Sequence, residues 1–151
     1  MIKLQNRRDQ TIALFGLGSS GIITARALTA AGVNVLAWDD SALQRKKAKK
    51  EPFSIQNLYS YDFRKIDALV LAPGVPYTHI SHPIAQKAQA SGRPILGDIE
   101  LLIEACPSTK FIGVTGTNGK STTTALIGQM LQTAGMKNQI GGNLGPPALG
   151  L

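Results

Sequence analysis

Short apolar runs alternate with segments of helical character along the first two-thirds of the chain. The runs Thr11–Phe15, Val33–Trp38 and Ile66–Leu71 have the length and composition of buried strands, and Pro94–Leu96 is a shorter one. Helices are predicted between and after these runs, over residues 22–31, 42–51, 83–91 and 98–105. The stretch 53–61 shows no clear pattern and predicts neither element. Strands that alternate with helices predict an α/β fold around a parallel sheet.

The alternation starts again near the end of the chain. Phe111–Val114 predicts a buried strand, residues 123–134 an amphipathic helix, and residues 138–140 a further short strand. Asp98 is the expected N-cap of the helix over 98–105. Each part carries its own glycine-rich loop, and one domain with two such loops is unusual. We therefore expect a Rossmann-like domain over residues 1–97, followed over residues 98–151 by the start of a second α/β domain.

A glycine loop lies between the predicted strand at Phe111 and the helix after it. Its residues are Gly116, Thr117, Asn118, Gly119, Lys120, Ser121 and Thr122. Glycines let backbone N–H groups approach phosphate oxygens, and the following helix points its positive dipole end at the same anion. Lys120 can contact the outer phosphates, and the Ser121 hydroxyl can bind Mg²⁺. The pattern predicts a phosphate-binding loop, although only two residues separate the glycines where the usual loop has four.

A second glycine pattern follows the first predicted strand directly. Gly16, Gly18 and Gly21 form a G-x-G-x-x-G sequence, and Asp39 follows the next strand, at close to the spacing of about 20 residues typical of dinucleotide folds. In that arrangement the three glycines allow the tight turn, close approach of a diphosphate, and close packing of helix on strand. The Asp39 carboxylate can accept hydrogen bonds from a ribose or a base. The sequence therefore predicts a nucleotide site at this edge, with the loop 72–76 beside it.

Composition narrows the function classes. Of 151 residues, 43% are hydrophobic and 17% charged, which is typical of a globular chain, and no apolar run approaches the roughly 18 residues of a membrane span. Cys106 is the only cysteine, so neither a disulfide framework nor a zinc cluster is expected. His79 and His82 are interpreted as turn or cap residues and not as metal ligands. The chain is expected to be cytoplasmic, without a membrane partner.

The net charge of +7 raises the question of nucleic-acid binding. Much of the excess comes from five basic residues in the short stretch 45–50, which is typical of a solvated helix face. No aromatic interleaving or recognised nucleic-acid module accompanies it. We therefore expect no nucleic-acid partner.

These motifs together resemble the Mur ligase family. The resemblance is carried by the loop 116–122 with its short glycine spacing, and by residues 16–21, 72–75, 97–101 and 141–145. It runs from about residue 11 to the end and covers the family's first domain and the opening of its second. It implies that the second domain, over residues 98–151, is the start of a P-loop-type ATPase α/β domain whose loop 116–122 binds ATP, with ATP and Mg²⁺ as cofactors. It also implies a ligase of peptidoglycan precursor synthesis that joins D-glutamate to UDP-N-acetylmuramoyl-L-alanine through an acyl phosphate.

The resemblance also implies roles for individual residues. Lys120 corresponds to the catalytic lysine and Ser121 to a metal ligand, whereas the UDP-sugar contacts correspond to Ser19, Ser20, Asp39, Asp40, Gly74 and Asn143. The uracil is expected at Asp39. Relatives often carry a hydroxyl residue and then a basic residue after this acid, and here Asp40 and Ser41 stand there. Any basic contact to the base is therefore unassigned.

Three functional classes remain open at this stage. The first is the N-terminal portion of an ATP-dependent amide ligase. Its adenine site, its D-glutamate site and its further Mg²⁺ ligands are expected beyond Leu151, so that the isolated chain is expected to be inactive. The second is a non-catalytic UDP-sugar-binding module. The third is an NAD(P)-dependent dehydrogenase domain, against which the loop at Gly116 counts because a dehydrogenase has no use for it.

Overall fold

A computed structural model describes residues 2–78 and 81–151. Five strands form one sheet in the order β3-β2-β1-β4-β5, and each neighbouring pair is parallel. The strands are β1 Thr11–Phe15, β2 Asn34–Trp38, β3 Ser54–Ile55, β4 Ala68–Leu71 and β5 Ile95–Leu96. The helices are α1 Ser19–Ala30, α2 Ala42–Ala48, α3 Pro83–Ala90, α4 Asp98–Ala105 and α5 Lys120–Thr133. The predicted α/β class with a Rossmann-like parallel sheet is confirmed.

The strand order places β1 at the centre of the sheet, paired with β2 on one side and β4 on the other. The chain builds outward from β1 through β2 to β3, and then crosses back to β4 and β5. In open parallel sheets the loops that leave the strands separate where this order reverses, which opens a crevice at the carboxyl ends of the strands. The crevice of this chain is therefore expected between the loops that follow β1 and β4.

Both faces of the sheet are covered. Leu14 and neighbouring apolar residues on one face pack with Leu28 of α1, Leu101 of α4 and Leu149 of the C-terminal 3₁₀ turn Ala148–Gly150. Ala13 and its neighbours on the other face belong to a second cluster, together with side chains of α3 and of the 3₁₀ turn at 63–65. Side chains alternate between faces along a strand, which explains why the short strands contribute to both clusters.

The segment 107–147 lies largely outside these two cores. The predicted strands at Phe111–Val114 and Asn138–Ile140 are wrong, since both stretches lack strand structure and Phe111 and Ile112 are 43% and 61% exposed. A strand needs a neighbour to pair its backbone groups, and the described residues place no strand beside either stretch. The helix α5 is present, but it starts at Lys120, three residues earlier than predicted, directly after the left-handed Gly119.

The N-cap of α4 is Gly97 and not the predicted Asp98, which occupies the first helical position. The Glu100 carboxylate accepts a hydrogen bond from the Gly97 N–H at 2.9 Å, and this contact from the third helical residue back to the N-cap stabilises the start of the helix. The unassigned stretch 53–61 contains the two-residue edge strand β3, which is too short to show a pattern. Among the described residues, no helix combines the length and the apolar character that crossing a membrane would require.

Candidate functional site

A cleft of about 360 Å³ lies at the carboxyl edge of the sheet, between the loops that follow β1 and β4. Its walls include Gly16, Gly18, Ser19, Ser20, Asp39 and Gly74. The structure therefore brings together four of the six residues predicted to contact a UDP-sugar. Asp40 does not line the cleft, and its side chain accepts a hydrogen bond from the Tyr59 hydroxyl. Asn143 lies on an exposed loop that does not line the cleft either. The binding roles of all six stay predictions.

The three glycines of the loop 16–21 differ in the space that an added side chain would find. Gly16 has a φ of 103°, and a Cβ added there would lie 2.6 Å from the Ala72 Cβ. A Cβ at Gly21 would lie 1.9 Å from the Gly16 carbonyl oxygen. At Gly18, by contrast, a Cβ would meet no atom within 4 Å. Gly16 and Gly21 are thus required by packing, whereas Gly18 leaves the backbone open toward the cleft.

The first turn of α1 forms one wall of this cleft through Ser19 and Ser20. The first N–H groups of a helix have no partner inside it, and they carry the positive end of the helix dipole. Gly18 contributes its carbonyl to the Ile22 N–H and places no side chain over the opening. The cleft therefore presents backbone donors and two serines to an anion, which suits a diphosphate.

Asp39 organises the loops around the cleft. Its Oδ2 accepts a hydrogen bond from the Leu17 N–H at 2.7 Å, and its Oδ1 accepts one from the Ser41 N–H at 2.7 Å. The carboxylate thus ties the glycine loop after β1 to the turn after β2. Each oxygen keeps a further lone pair that can accept a hydrogen bond from a ligand.

A polar cluster that the sequence did not predict lies next to Asp39. The Tyr59 hydroxyl donates to both carboxylate oxygens of Asp40, at 3.0 and 3.1 Å, and His82 Nε2 lies 3.4 Å from Asp40 Oδ2. His82 also stacks on Phe15, with ring centroids 4.4 Å apart, and its Nδ1 accepts from the Ile84 N–H at the start of α3. His82 is therefore the cap residue that was predicted, while His79 lies outside the described residues.

Arg45 was interpreted as part of a solvated helix face, and this interpretation is wrong. Its guanidinium lies over the Trp38 ring, with Cζ 4.3 Å from the ring centroid. Its Nη1 donates to the backbone carbonyls of Asp39 at 2.6 Å and Asp40 at 2.9 Å. Arg45 lies one turn into α2, and its side chain reaches back to the end of β2. The only sequence signal was a basic residue six positions after Asp39.

A second cleft of about 290 Å³ shares the loop 72–75 and continues to the start of α4. Asp98 lies in its wall and is about half buried, and this burial raises the pKa of the carboxyl above its usual range. Hydrogen bonds from backbone N–H groups, including that of Ile99, oppose the shift. The second cleft is thus continuous with the first through the loop 72–75. Burial of Asp98 in its wall disfavours the charged form of this carboxyl.

The backbone of the loop 116–122 depends on its two glycines. Gly116 and Gly119 adopt φ values of 149° and 75°, which other residues rarely adopt. The Lys120 ammonium donates to the loop carbonyl of Gly116 and, at 2.9 Å, to that of Thr117. The loop is exposed, and Ser121 stands in the first turn of α5. These residues fit the phosphates of a nucleotide, because the backbone donors are accessible and the lysine needs only to exchange carbonyls for phosphate oxygens.

The described residues contain no group of three or more His, Cys, Asp or Glu side chains that could hold a metal ion. No such group therefore lies beside Ser121 within the described ranges. A hydroxyl that follows the loop lysine suits Mg²⁺ only when nucleotide phosphates supply further oxygens, since Mg²⁺ prefers six oxygen ligands.

No family model matches the chain. It is 46% identical over 156 aligned positions to UDP-N-acetylmuramoylalanine–D-glutamate ligase of Agrobacterium fabrum, which covers 100% of this chain and 33% of that protein. The ligases of the same name from Caulobacter vibrioides and Paramagnetospirillum magneticum are each 44% identical, over 34% and 33% of their lengths. The chain thus spans about a third of the curated relatives it matches, and it resembles their N-terminal portion along its whole length.

Two solved structures align with part of this chain. Shikimate dehydrogenase of Aquifex aeolicus aligns with a TM-score of 0.48 and 19% identity, over 64% of this chain and 45% of that one. An imine reductase of Pseudomonas sp. aligns with a TM-score of 0.42 and 19% identity, over 65% of this chain and 37% of that one.

Proposed function

We propose that this chain is the N-terminal portion of an ATP-dependent ligase that joins D-glutamate to UDP-N-acetylmuramoyl-L-alanine. In this reaction the substrate carboxylate takes the terminal phosphoryl group of ATP, and the amine of D-glutamate then displaces phosphate to form the amide. A free carboxylate is a poor acyl donor, and phosphorylation supplies the leaving group. The names of the relatives support the two substrates, and the two glycine loops support a site for each nucleotide.

The cleft between β1 and β4 is the single observation that carries the proposal for this chain. It combines the open backbone at Gly18 with the first turn of α1 and the fixed carboxylate of Asp39. We assign the diphosphate to Ser19, Ser20 and the adjacent N–H groups, and the base end to Asp39. Gly74, on the facing loop, has a φ of 93° and no atom within 4 Å of an added Cβ, which leaves space for the sugar.

The loop 116–122 is assigned to ATP. Its backbone N–H groups would hold the phosphates, and Lys120 would bind the outer phosphate oxygens and neutralise charge there during transfer. Ser121 would offer its hydroxyl to Mg²⁺, which polarises the transferred group when it is bound. These assignments give Lys120 a role in turnover and no role in binding the UDP-sugar, because the loop and the first cleft serve different ligands.

A chimera tests the proposal. Residues 1–151 are joined to the remaining two-thirds of the Agrobacterium fabrum relative, and phosphate release is measured with ATP, Mg²⁺ and UDP-N-acetylmuramoyl-L-alanine. We expect release that depends on D-glutamate. Lys120→Ala should abolish turnover and leave binding of the UDP-sugar nearly unchanged.

Lys110→Ala is the matched control, since it removes the same charge from an exposed position ahead of the loop. It should leave turnover close to that of the parent chimera. The proposal is contradicted if Lys120→Ala retains turnover, or if a folded chimera binds both nucleotides and releases no phosphate.

A further inference from the structure

The chain leaves the first core through α4 and returns to it through the C-terminal 3₁₀ turn. Leu101 and Leu102 of α4 are buried in the same cluster as Leu149 of that turn, whose side chain is fully buried. The segment 107–147, which contains the loop 116–122, is therefore attached to the core at both of its ends. These two attachments limit where the loop assigned to ATP can lie relative to the first cleft.

The N-terminal segment 2–7 contacts both attachments. The Ile2 N–H donates to the Leu149 carbonyl at 3.1 Å, where the chain returns to the core. Leu4 is fully buried in the same apolar cluster and anchors the segment. The Arg7 side chain reaches the last turn of α4, where the chain leaves the core. One short segment thus holds the exit and the return of the chain together.

The contact with α4 is a bidentate ion pair between Arg7 and Glu104. Arg7 Nε donates to Glu104 Oε2 at 3.0 Å, and Nη2 donates to Oε1 at 2.6 Å. The two side chains are only 18% and 34% exposed, and Asn6 and Gln10 add longer contacts at 3.4 and 3.5 Å. Two parallel hydrogen bonds from a planar guanidinium fix an angle as well as a distance. The pair therefore fixes the direction of α4 at its last turn.

The helix α4 connects the two ligand sites of the proposed ligase. Its first turn lines the second cleft with Asp98 and Ile99, and that cleft is continuous with the first. Its last turn carries Glu104, and the chain continues from there to the loop 116–122. A change in the direction of α4 would move one site relative to the other while each site keeps its own residues. Phosphoryl transfer is sensitive to such a change, because the reacting atoms must come within about 3–3.5 Å of each other.

We propose that Arg7 and Glu104 are positioning residues for the phosphoryl transfer, and that they act by fixing the direction of α4. Within the described part of the chain, neither residue lines either cleft, so both act through the helix and not on a ligand. The inference rests on the proposed ligase, and it adds to that ligase a pair of residues that holds its two nucleotide sites in register.

The first test uses the chimera described above. Arg7→Gln and Glu104→Gln each remove one charge and keep most of the side chain. Each should lower kcat roughly tenfold, within the 100-fold that a misplacement of about 1 Å can cost. The calorimetric affinities for the UDP-sugar and for ATP should stay close to those of the parent. Because partly exposed ion pairs contribute little to stability, the melting temperature should fall by no more than about 2–4 °C.

A double variant and a matched control separate this role from a general structural one. Arg7→Gln/Glu104→Gln should lose no more kcat than either single variant, since both residues act through one contact. The control is Arg26→Gln, which breaks a second bidentate pair, formed with Glu51 at 2.6 and 2.7 Å. That pair joins α1 to the chain after α2 and not to α4, so its loss should leave kcat unchanged.

The second test uses the 151-residue chain and needs no turnover. Trp38 is the only tryptophan and serves as the donor for energy transfer. Ile103, which is 47% exposed in the last turn of α4, carries a fluorescent acceptor after Ile103→Cys in a Cys106→Ser chain. Time-resolved transfer then reports the distances between the end of β2 and the end of α4. Arg7→Gln should shift or broaden this distribution, and Arg26→Gln should leave it unchanged.

An unchanged distance distribution in a folded Arg7→Gln chain would overturn the inference, as would additive losses of kcat in the double variant or an equal loss in Arg26→Gln. Loss of affinity for the UDP-sugar together with kcat would also overturn it, because Arg7 would then support the cleft itself. A parent chimera that binds both nucleotides and releases no phosphate would count against the proposed ligase, and the energy-transfer measurement would then decide this inference by itself.

Discussion

The variants Gly18→Ala and Gly21→Ala distinguish two reasons for a glycine in the loop after β1. Gly21 is needed for close packing, and Gly18 lets a ligand approach the backbone. At Gly21 an added Cβ would lie 1.9 Å from a backbone oxygen, so α1 would have to move by about 1.5 Å to reach ordinary contact at 3.4 Å. Such overpacking costs about 1–3 kcal/mol of unfolding free energy. At Gly18 the Cβ meets no atom within 4 Å and φ is −70°, so the change should cost only a few tenths of a kcal/mol as an N-cap substitution.

The two variants should lose affinity for UDP for different reasons. In Gly18→Ala the methyl group occupies the space through which a diphosphate approaches the backbone, and one charge-assisted hydrogen bond of about 1.5–3 kcal/mol is lost. Affinity for UDP should therefore fall roughly 10- to 100-fold while the melting temperature stays nearly constant. In Gly21→Ala affinity should fall together with the melting temperature, by about 2–4 °C for each kcal/mol.

Thermal unfolding and calorimetric titration with UDP measure both quantities on the same samples. Gly92→Ala is a control at a positive-φ glycine outside the cleft, where the strain lowers stability and binding should be unaffected. Wild-type affinity in a folded Gly18→Ala chain would refute the reasoning, because the diphosphate would then not approach the loop at this point.

Three further outcomes follow from the site and its surroundings. The folded-state pKa of Asp98 is raised by burial, so its stability contribution is full below the unfolded pKa and is lost as the pH rises through the folded pKa. Asp98→Asn should therefore match the parent near pH 3 and be more stable at pH 7 in thermal unfolding, and equal stability at both pH values would contradict this. The 151-residue chain alone should release no phosphate from ATP in the presence of Mg²⁺, UDP-N-acetylmuramoyl-L-alanine and D-glutamate, because correct positioning of the reacting groups is worth roughly 7–11 kcal/mol of barrier. Phosphate release that depends on D-glutamate would refute this prediction. Leu126 and Met130 are 59% and 63% exposed, so the chain should associate as its concentration rises, and the double variant Leu126→Lys/Met130→Lys should scatter less light than the matched Gln129→Lys/Gln132→Lys.

The sequence predicts the first sheet well because its central strands carry their own burial signal. The apolar runs at β1, β2 and β4 fill positions buried on both faces, which is the pattern typical of parallel strands. The run Phe111–Val114 has the same composition and forms no strand. Apolar composition alone does not make a strand, because pairing depends on a neighbour that local sequence does not contain.

The residues of the candidate site also fall into those that local sequence predicts and those that it does not. The first glycine loop (16–21), Asp39 and the loop after β4 follow from local motifs at strand ends, and the structure gathers them at one edge. The contacts that Arg45, Tyr59 and His82 make with Asp39 and Asp40 could not be predicted, since they join side chains to the backbone or carboxylates of residues brought together by the fold. The β3 strand was missed for a similar reason, because two residues at a sheet edge take their structure from β2.

Direct comparison of two nucleotides tests the central claim that the first cleft holds a UDP-sugar. The chain is titrated by calorimetry with UDP-N-acetylmuramoyl-L-alanine and, under the same conditions, with NAD⁺. The account predicts tighter binding of the UDP-sugar, and loss of that binding in Gly18→Ala. Tighter binding of NAD⁺ would contradict it and favour a dehydrogenase-type site.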